Sequence, residues 1–311
     1  MKRNLSRPKK ETKLQYYLKG HMALYIMLLL PLTFFFVFRY VPMVNIAIAF
    51  KDYNFFQGVW ASPWVQFKYF IQAFSDKDFY NALRNTLLLN SLDLVVGFPV
   101  PIILAILLNE LVFKRYKRFT QTVLYLPHFL SWIIISGIAL QIFAPSTGII
   151  NVLLSRLGFQ AIPFLTEETH WIVTYVLLGL WQSMGWNTII YLAAITSISP
   201  ALYEAAEMDG ATRFKKMIHI TLPGIRPTIV VMLIMNLGRI LSVDFDRPWA
   251  LRNPLIQTVA DVISTYVYRV GITASQYSLA AAVGLFQSFI CVIFLVAANA
   301  IAKKVGDEGI W

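Results

Sequence analysis

A chain of 311 residues that is 58% hydrophobic and only 14% charged, with mean hydropathy +0.61, is no ordinary soluble domain; those carry roughly 25% charged residues. The composition specifies an integral membrane protein; the length would allow about two soluble domains, but apolar runs recur throughout, so one membrane domain with no separate soluble module is expected. The formal charge of +11 does not point to nucleic acid, because the basic residues gather in alternate stretches, as cytoplasmic flanks do.

Residues 1–21 hold Lys2, Arg3, Arg7, Lys9, Lys10, Lys13 and Lys19 and read as a basic cytoplasmic N-terminus. An apolar run of about 20 residues crosses the hydrocarbon core as a helix, and the first run covers about 22–38. Its basic leader also fits a secretory signal. The run ends in Arg39-Tyr40 without a small-x-small cleavage pattern, so it reads as a retained anchor. The exterior stretch 39–85 is crowded with Tyr53, Phe55, Phe56, Trp60, Trp64, Phe67, Tyr69 and Phe70, which suits an aromatic belt or lid at headgroup level more than the alternative, a direct ligand platform.

A second span is expected at about 86–108, kinked by Gly97, Pro99 and Pro101, and a third at 121–143, kinked by Pro127. The fourth covers 171–195, the fifth 228–245 and the sixth 278–302. Asn236, Arg239 and Asp244 interrupt the fifth, which is the weakest of the six. With the N-terminus inside, 109–120, 196–227 and the tail 303–311 join 1–21 in the cytoplasm and together hold 17 of the 27 Lys and Arg. The expected fold is an all-α polytopic membrane protein of six transmembrane helices, with both termini cytoplasmic and one permease-like domain over 22–302.

Between the fourth and fifth runs lies a polar hairpin, 199–223, that crossing a bilayer does not require. Ser199-Pro200 suits a helix start, with Ser at the N-cap and Pro at the first helical position. Ala201 to Asp209 are strong helix formers, and Gly210 is the expected stop. Residues 212–219 are expected to form a second short helix, and Leu222-Pro223 the turn back to the membrane. Ala201, Ala205 and Met208 share a face, with Glu204 and Glu207 beside it for charged partners.

The hairpin resembles the EAA loop of ABC-importer permeases: Glu-Ala-Ala, three residues, Gly, nine residues, Ile-x-Leu-Pro. Its fixed positions match at Glu204, Ala205, Ala206, Gly210, Ile220, Leu222 and Pro223, with Asp209 beside the glycine. The resemblance implies a type I importer bundle and a coupling helix that docks into a cytoplasmic ABC ATPase dimer. Glu204 would make a polar contact, Ala205 and Ala206 would permit close packing, and Gly210 would make the turn. Tyr40-Val-Pro-Met, Ala49-Phe-Lys-Asp-Tyr-Asn54, Ser62-Pro-Trp-Val65, Leu107-Leu-Asn-Glu-Leu111, Tyr125-Leu-Pro-His-Phe129 and Gly306-Asp-Glu-Gly-Ile-Trp311 are similar to the subfamily that imports oligosaccharides or polysaccharide fragments. That likeness implies a second, homologous permease and an extracytoplasmic, lipid-anchored solute-binding protein as partners, in a bacterial plasma membrane.

Two polar clusters inside spans are candidates for the substrate path. Gln182, Ser183 and Trp186 share a face with Gly179 in the fourth span; Asn236, Arg239 and Asp244 gather in the fifth. At ~1.5 Å per residue both stand about 20–24 Å above the hairpin. Trp and amides suit sugars, and Arg239 could meet a uronic acid or instead pair with Asp244 or Asp93. His21, His128, His170 and His219 are scattered and Cys291 stands alone, so no metal set or disulfide is expected. His128 follows the Pro127 kink and is expected to satisfy the backbone that it frees. No Gly-x4-Gly-Lys-Ser/Thr occurs, so any ATP belongs to a partner and no cofactor or catalytic residue is expected in this chain. An ion-driven transporter would call for inverted repeats around midplane carboxylates. A membrane enzyme would have only Glu167-Glu168 near His170 to work with.

Overall fold

The computed structural model describes residues 21–304, 306, 309 and 310. The leader up to residue 20, and residues 305, 307, 308 and 311 of the tail, lie outside the described residues. Among the described residues there is no strand beyond an isolated antiparallel bridge between Lys51 and Trp64. Three helices among the described residues are long and apolar enough to cross a membrane: α1 (Met22–Phe50), α3 (Lys77–Asn109) and α13 (Tyr277–Lys304). Three bent pairs bring the number to as many as six if each pair is one span.

The first run does not stop at residue 38. α1 continues to Phe50, passing from α to π geometry at Phe36–Tyr40 and then to a tighter helix over Val41–Phe50. Pro42 supplies the reason, since a ring nitrogen cannot donate to the preceding turn. From Met22 to Ile46 every residue is exposed, left uncovered by the described residues of this chain. The following loop is pinned by Lys51, whose Nζ donates to the carbonyls of Val59 and Trp60, and by Ser278, which donates to the Lys51 carbonyl. Phe56, Trp60, Trp64 and Phe67 are exposed around it. A short amphipathic helix, α2 (Lys68–Ser75), leads into α3.

α3 begins where Asp76 accepts from the Asp78 amide, and it runs helically through Gly97-Phe98-Pro99. The carbonyl of Pro101 receives the Thr188 hydroxyl from a neighbouring helix. The third run is sharply bent, into an elbow. α4 (Lys114–Phe129) and α5 (Trp132–Phe143) meet at 103°, and Ser131 caps the second. Pro127 tightens the last turn of α4 into 3-10 geometry before the chain extends through Leu130. After α6 (Ile149–Arg156) comes α7 (Glu168–Thr196), a single 29-residue helix capped by Glu167.

Beyond the hairpin, α10 (Arg226–Leu237) covers only the first half of the expected fifth span. Residues 238–245 are turns and extended chain rather than helix. Backbone carbonyls inside a bilayer must be satisfied, and here two side-chain amides do it. Asn90 Nδ2 donates to the Ile240 carbonyl at 2.6 Å and Gln287 Nε2 to the Leu241 carbonyl at 2.9 Å. The chain then forms α11 (Asp246–Leu251) and α12 (Ile263–Tyr268) before α13.

Lipid tails are as apolar as leucine, so close packing and interhelical hydrogen bonds hold such a bundle, at about 0.6 kcal/mol per bond. Gly185 of α7 meets the Leu124 carbonyl of α4 with no room for a Cβ. Asn85 of α3 donates to the carbonyls of Thr258 and Asp261, and Thr86 accepts from the Ile263 amide. One buried cluster joins Phe79, Ile263, Tyr266 and Leu279; a second joins Trp171, Tyr175, Ile256 and Val262. A third, of Ile102, Tyr191, Ile195 and Ile225, seats the base of the hairpin.

Candidate functional site

The hairpin is two helices, α8 (Pro200–Met208) and α9 (Arg213–Gly224). Pro200 takes the first helical position, but the Ser199 hydroxyl makes no cap bond; only its carbonyl accepts, from Leu202. At the other end Gly210 adopts φ +73°. Its amide donates to the Glu207 carbonyl at 3.0 Å, and the Ala211 amide to the Ala206 carbonyl at 2.8 Å. These two bonds are the paired closure of a Schellman helix end. Space around Gly210 is open, so the backbone angle alone demands glycine there.

α9 starts at Thr212 and passes through π geometry at Met217–Thr221, because Pro223 has no N–H to give the preceding turn. The return to the bundle comes at Gly224-Ile225, two residues later than Leu222-Pro223, with a 57° bend into α10. Gly224 lies against the Ile198 side chain, and Ile225 is fully buried. Two bonds close the hairpin: Tyr203 Oη to Thr221 Oγ1 at 2.9 Å, and Lys216 Nζ to Glu207 Oε1 at 2.6 Å. Glu207 is therefore engaged within the hairpin rather than free, and Lys216 holds its carboxyl below the ordinary glutamate range by that hydrogen bond and by its charge.

Glu204, Ala205, Met208, Asp209 and Gly210 are exposed, while Ala206 is half-buried beside Tyr203. Met208 is 89% exposed, and Leu202 and Phe214 stand out from the same hairpin. Ile220 is half-buried; Leu222 and Pro223 remain exposed. Glu204 and Glu207 border a groove of about 280 Å³ between α8, the end of α7 and Asn109 of α3.

Above the hairpin, α3, α7, α10 and the non-helical segment enclose a cavity of about 580 Å³. It takes in Ser183, Asn236, Arg239 and Asp244 of the sequence candidates. It excludes Gln182 and Trp186. Trp186 stacks on His128 at 4.4 Å with the planes 6° apart, and Gln182 Nε2 reaches the His128 carbonyl at 3.4 Å. The α7 face that reaches the cavity is Gly179, Ser183 and Asn187, at i, i+4 and i+8. His128 is thus a stacking partner, and its buried Nδ1 has no hydrogen-bond partner, contrary to a role in satisfying the kinked backbone.

Arg239 forms an ion pair with neither Asp244 nor Asp93. Asp93 instead takes Arg247, at 2.5 and 3.2 Å through both guanidinium nitrogens. Arg247 is 9% exposed and also donates to the Tyr175 carbonyl. Its guanidinium lies so close to Gly179 that no Cβ could stand there. Sequence reading placed Arg247 in an aqueous loop and missed it. The signal was Asp93, a carboxylate in an apolar run that required a cationic partner.

A family model described as "Binding-protein-dependent transport system inner membrane component" matches residues 97–307. Protein LplB of Bacillus subtilis (strain 168) is 46% identical over 94% of this chain and 92% of its own length. The polygalacturonan/rhamnogalacturonan transport system permease protein YteP of the same organism is 45% identical over 93% of this chain and 90% of its own. Among solved structures, a chain of a bacterial ABC transporter involved in the import of the acidic polysaccharide alginate superposes with TM-score 0.86 at 40% identity. That match covers 94% of this chain and 99% of the other. A second structure of a bacterial alginate transporter, in complex with a pentasaccharide-bound periplasmic protein, also gives TM-score 0.86, at 39% identity over 96% of this chain and 100% of the other.

Proposed function

The chain belongs to the binding-protein-dependent transport system inner membrane component family, and on that premise we propose that it forms half of the translocation pathway of an ATP-driven importer of oligosaccharides or polysaccharide fragments. It is a multi-pass plasma-membrane transport subunit, not an enzyme. The observation that carries the reading is continuity. α7 runs from the wall of the polar cavity to the hairpin, which follows it after a 71° bend at residues 197–199, and the hairpin returns through α10 to the same cavity. Movement imposed on α8 is thereby delivered to the residues around a transported molecule.

In this reading the bent pairs count as spans, six in all, with both termini and the hairpin in the cytoplasm and a single permease domain over 22–302. The hairpin docks on a cytoplasmic ABC ATPase dimer: Glu204 offers a free carboxylate, Ala205 a close approach, and Leu202, Met208 and Phe214 apolar anchors. Asp209 and Gly210 shape the tip, Ala206 packs inward, and Ile220, Leu222 and Pro223 carry the second arm. Closure of the ATPases moves the hairpin and switches the bundle between two packings. Ser183, Asn236, Arg239 and Asp244 line the path, with Gln182 and Trp186 bracing the α4 elbow. A second homologous permease supplies the other half, and the uncovered length of α1 is a surface that it or lipid can occupy. A lipid-anchored binding protein delivers substrate from outside.

The test is purification in mild detergent on a tag placed after Trp311, with mass spectrometry of what is retained. Recovery of a P-loop ATPase and a second permease, with the ATPase lost on Glu204→Lys, is the expected result. Recovery of this chain alone, transporting in proteoliposomes without ATP, would overturn the reading.

A further inference from the structure

The cavity carries four charged side chains, and two of them are already spoken for. Asp93 and Arg247 neutralise one another in a two-pronged pair. Arg239 and Asp244 are left, five residues apart on the non-helical segment, without an ion-pair partner among the described residues. A guanidinium facing a cavity at membrane depth is costly unless it finds an anion or water. No fixed anion among the described residues meets it.

The rest of the wall bears on which ligand would. The one tryptophan suited to stacking on a hexose, Trp186, is stacked on His128 outside the cavity. Of the wall's two aromatic residues, Tyr191 is 2% exposed and meets Phe98 edge-to-face, so it offers no broad ring face. Recognition there falls to polar and charged groups. Arginine presents a planar fork that fits a carboxylate in two-pronged fashion.

We infer that the substrate of this pathway is an anionic oligosaccharide of uronic acid units, and that Arg239 is the residue that reads its carboxylate. The inference rests on the importer reading and narrows its substrate class. Asp244, on the same segment, accepts from sugar hydroxyls and does not compete, because no ion pair joins it to Arg239.

The experiment uses the complete importer, with its ATPase, second permease and binding protein, in proteoliposomes. Oligogalacturonate and oligoalginate fragments are compared with the same fragments after carboxyl reduction to neutral sugars. Arg239→Gln and Arg239→Lys are compared with wild type, each first shown to co-purify with the partners and to melt as wild type does. The expected result is ATP-dependent uptake favouring a charged fragment. Arg239→Gln should lower uptake of that fragment by roughly tenfold or more, the scale of a lost charge-assisted hydrogen bond. Its effect on the reduced fragment should be smaller, and Arg239→Lys should fall between. Wild-type preference for neutral fragments, or an equal loss of both in Arg239→Gln, overturns the inference and leaves the importer standing. Absence of ATP-dependent uptake of every fragment overturns the inference; the importer reading falls only if, in addition, the chain purifies without an ATPase.

Discussion

Arg247 lies with its guanidinium 3.6 Å from the ring centroid of Tyr175 and donates to the carbonyl oxygen of that same residue at 2.5 Å. With Asp93 on α3 it therefore ties three elements together at one end of the cavity. Removing one partner of a buried ion pair leaves an uncompensated charge, at about 3–5 kcal/mol. Asp93→Leu or Arg247→Met alone should lower the melting temperature of the purified complex markedly, while the double variant recovers much of the loss. A thermal melt of the four proteins in one detergent checks this; strict additivity would refute the coupling.

Gly210 carries the left-handed turn of the hairpin. Substitution by alanine places a Cβ at φ +73°, a strain of roughly 1–2 kcal/mol. Little of this will show in global stability, since the hairpin lies at the edge of the bundle. It should appear as weaker ATPase retention and faster hydrogen exchange at residues 200–223, with Gly210→Asn milder than Gly210→Val.

Acid should loosen the hairpin through Glu207. Its folded pKa is depressed by the Lys216 hydrogen bond, from an ordinary value near 4.5. A depressed carboxylate contributes stability above its unfolded pKa and loses it as pH falls through the folded one. Limited proteolysis within 200–223 should thus accelerate below about pH 4.5, and Lys216→Met should remove most of that dependence while raising the rate at neutral pH.

The non-helical stretch 238–245 rests on amide side chains. Asn90→Leu strands the Ile240 carbonyl in an apolar setting, at about 1–3 kcal/mol, and Gln287→Leu does the same for Leu241. Each should lower the melting temperature and reduce uptake, whereas Asn90→Gln, which keeps a donor, should be milder. Unchanged melting in both leucine variants would show that water replaces the amides.

Legibility followed the range of the interactions. The hairpin could be read because Pro200 and Gly210 act on their own backbone, and the helix ends obey them wherever the chain is. The elbow at Leu130-Ser131 and the break in the fifth span were legible only as a Pro127 kink and as a run interrupted by Asn236, Arg239 and Asp244. The form of the fifth-span break rests on residues such as Asn90, 150 residues from the carbonyl it serves, and hydropathy carries no trace of that pairing. The α7 candidates divide between two surroundings for a geometric reason. Gly179, Gln182, Ser183 and Trp186 spread over an arc wide enough for two neighbours. Gly179 and Ser183 face the cavity; Gln182 and Trp186 face the elbow.

The unwound segment has a mechanical consequence. A helix resists deformation cooperatively, because bending one turn strains the bonds of the next. The wall that carries Arg239 and Asp244 has only a few single-turn backbone bonds, from the Arg239, Ile240 and Ser242 amides, and two side-chain donors hold the Ile240 and Leu241 carbonyls. Those donors can release one oxygen and take another without melting a turn. The wall can therefore change outline in small independent steps while α3, α7 and α13 keep their form, so one passage could accommodate successive units of a chain as they slide through.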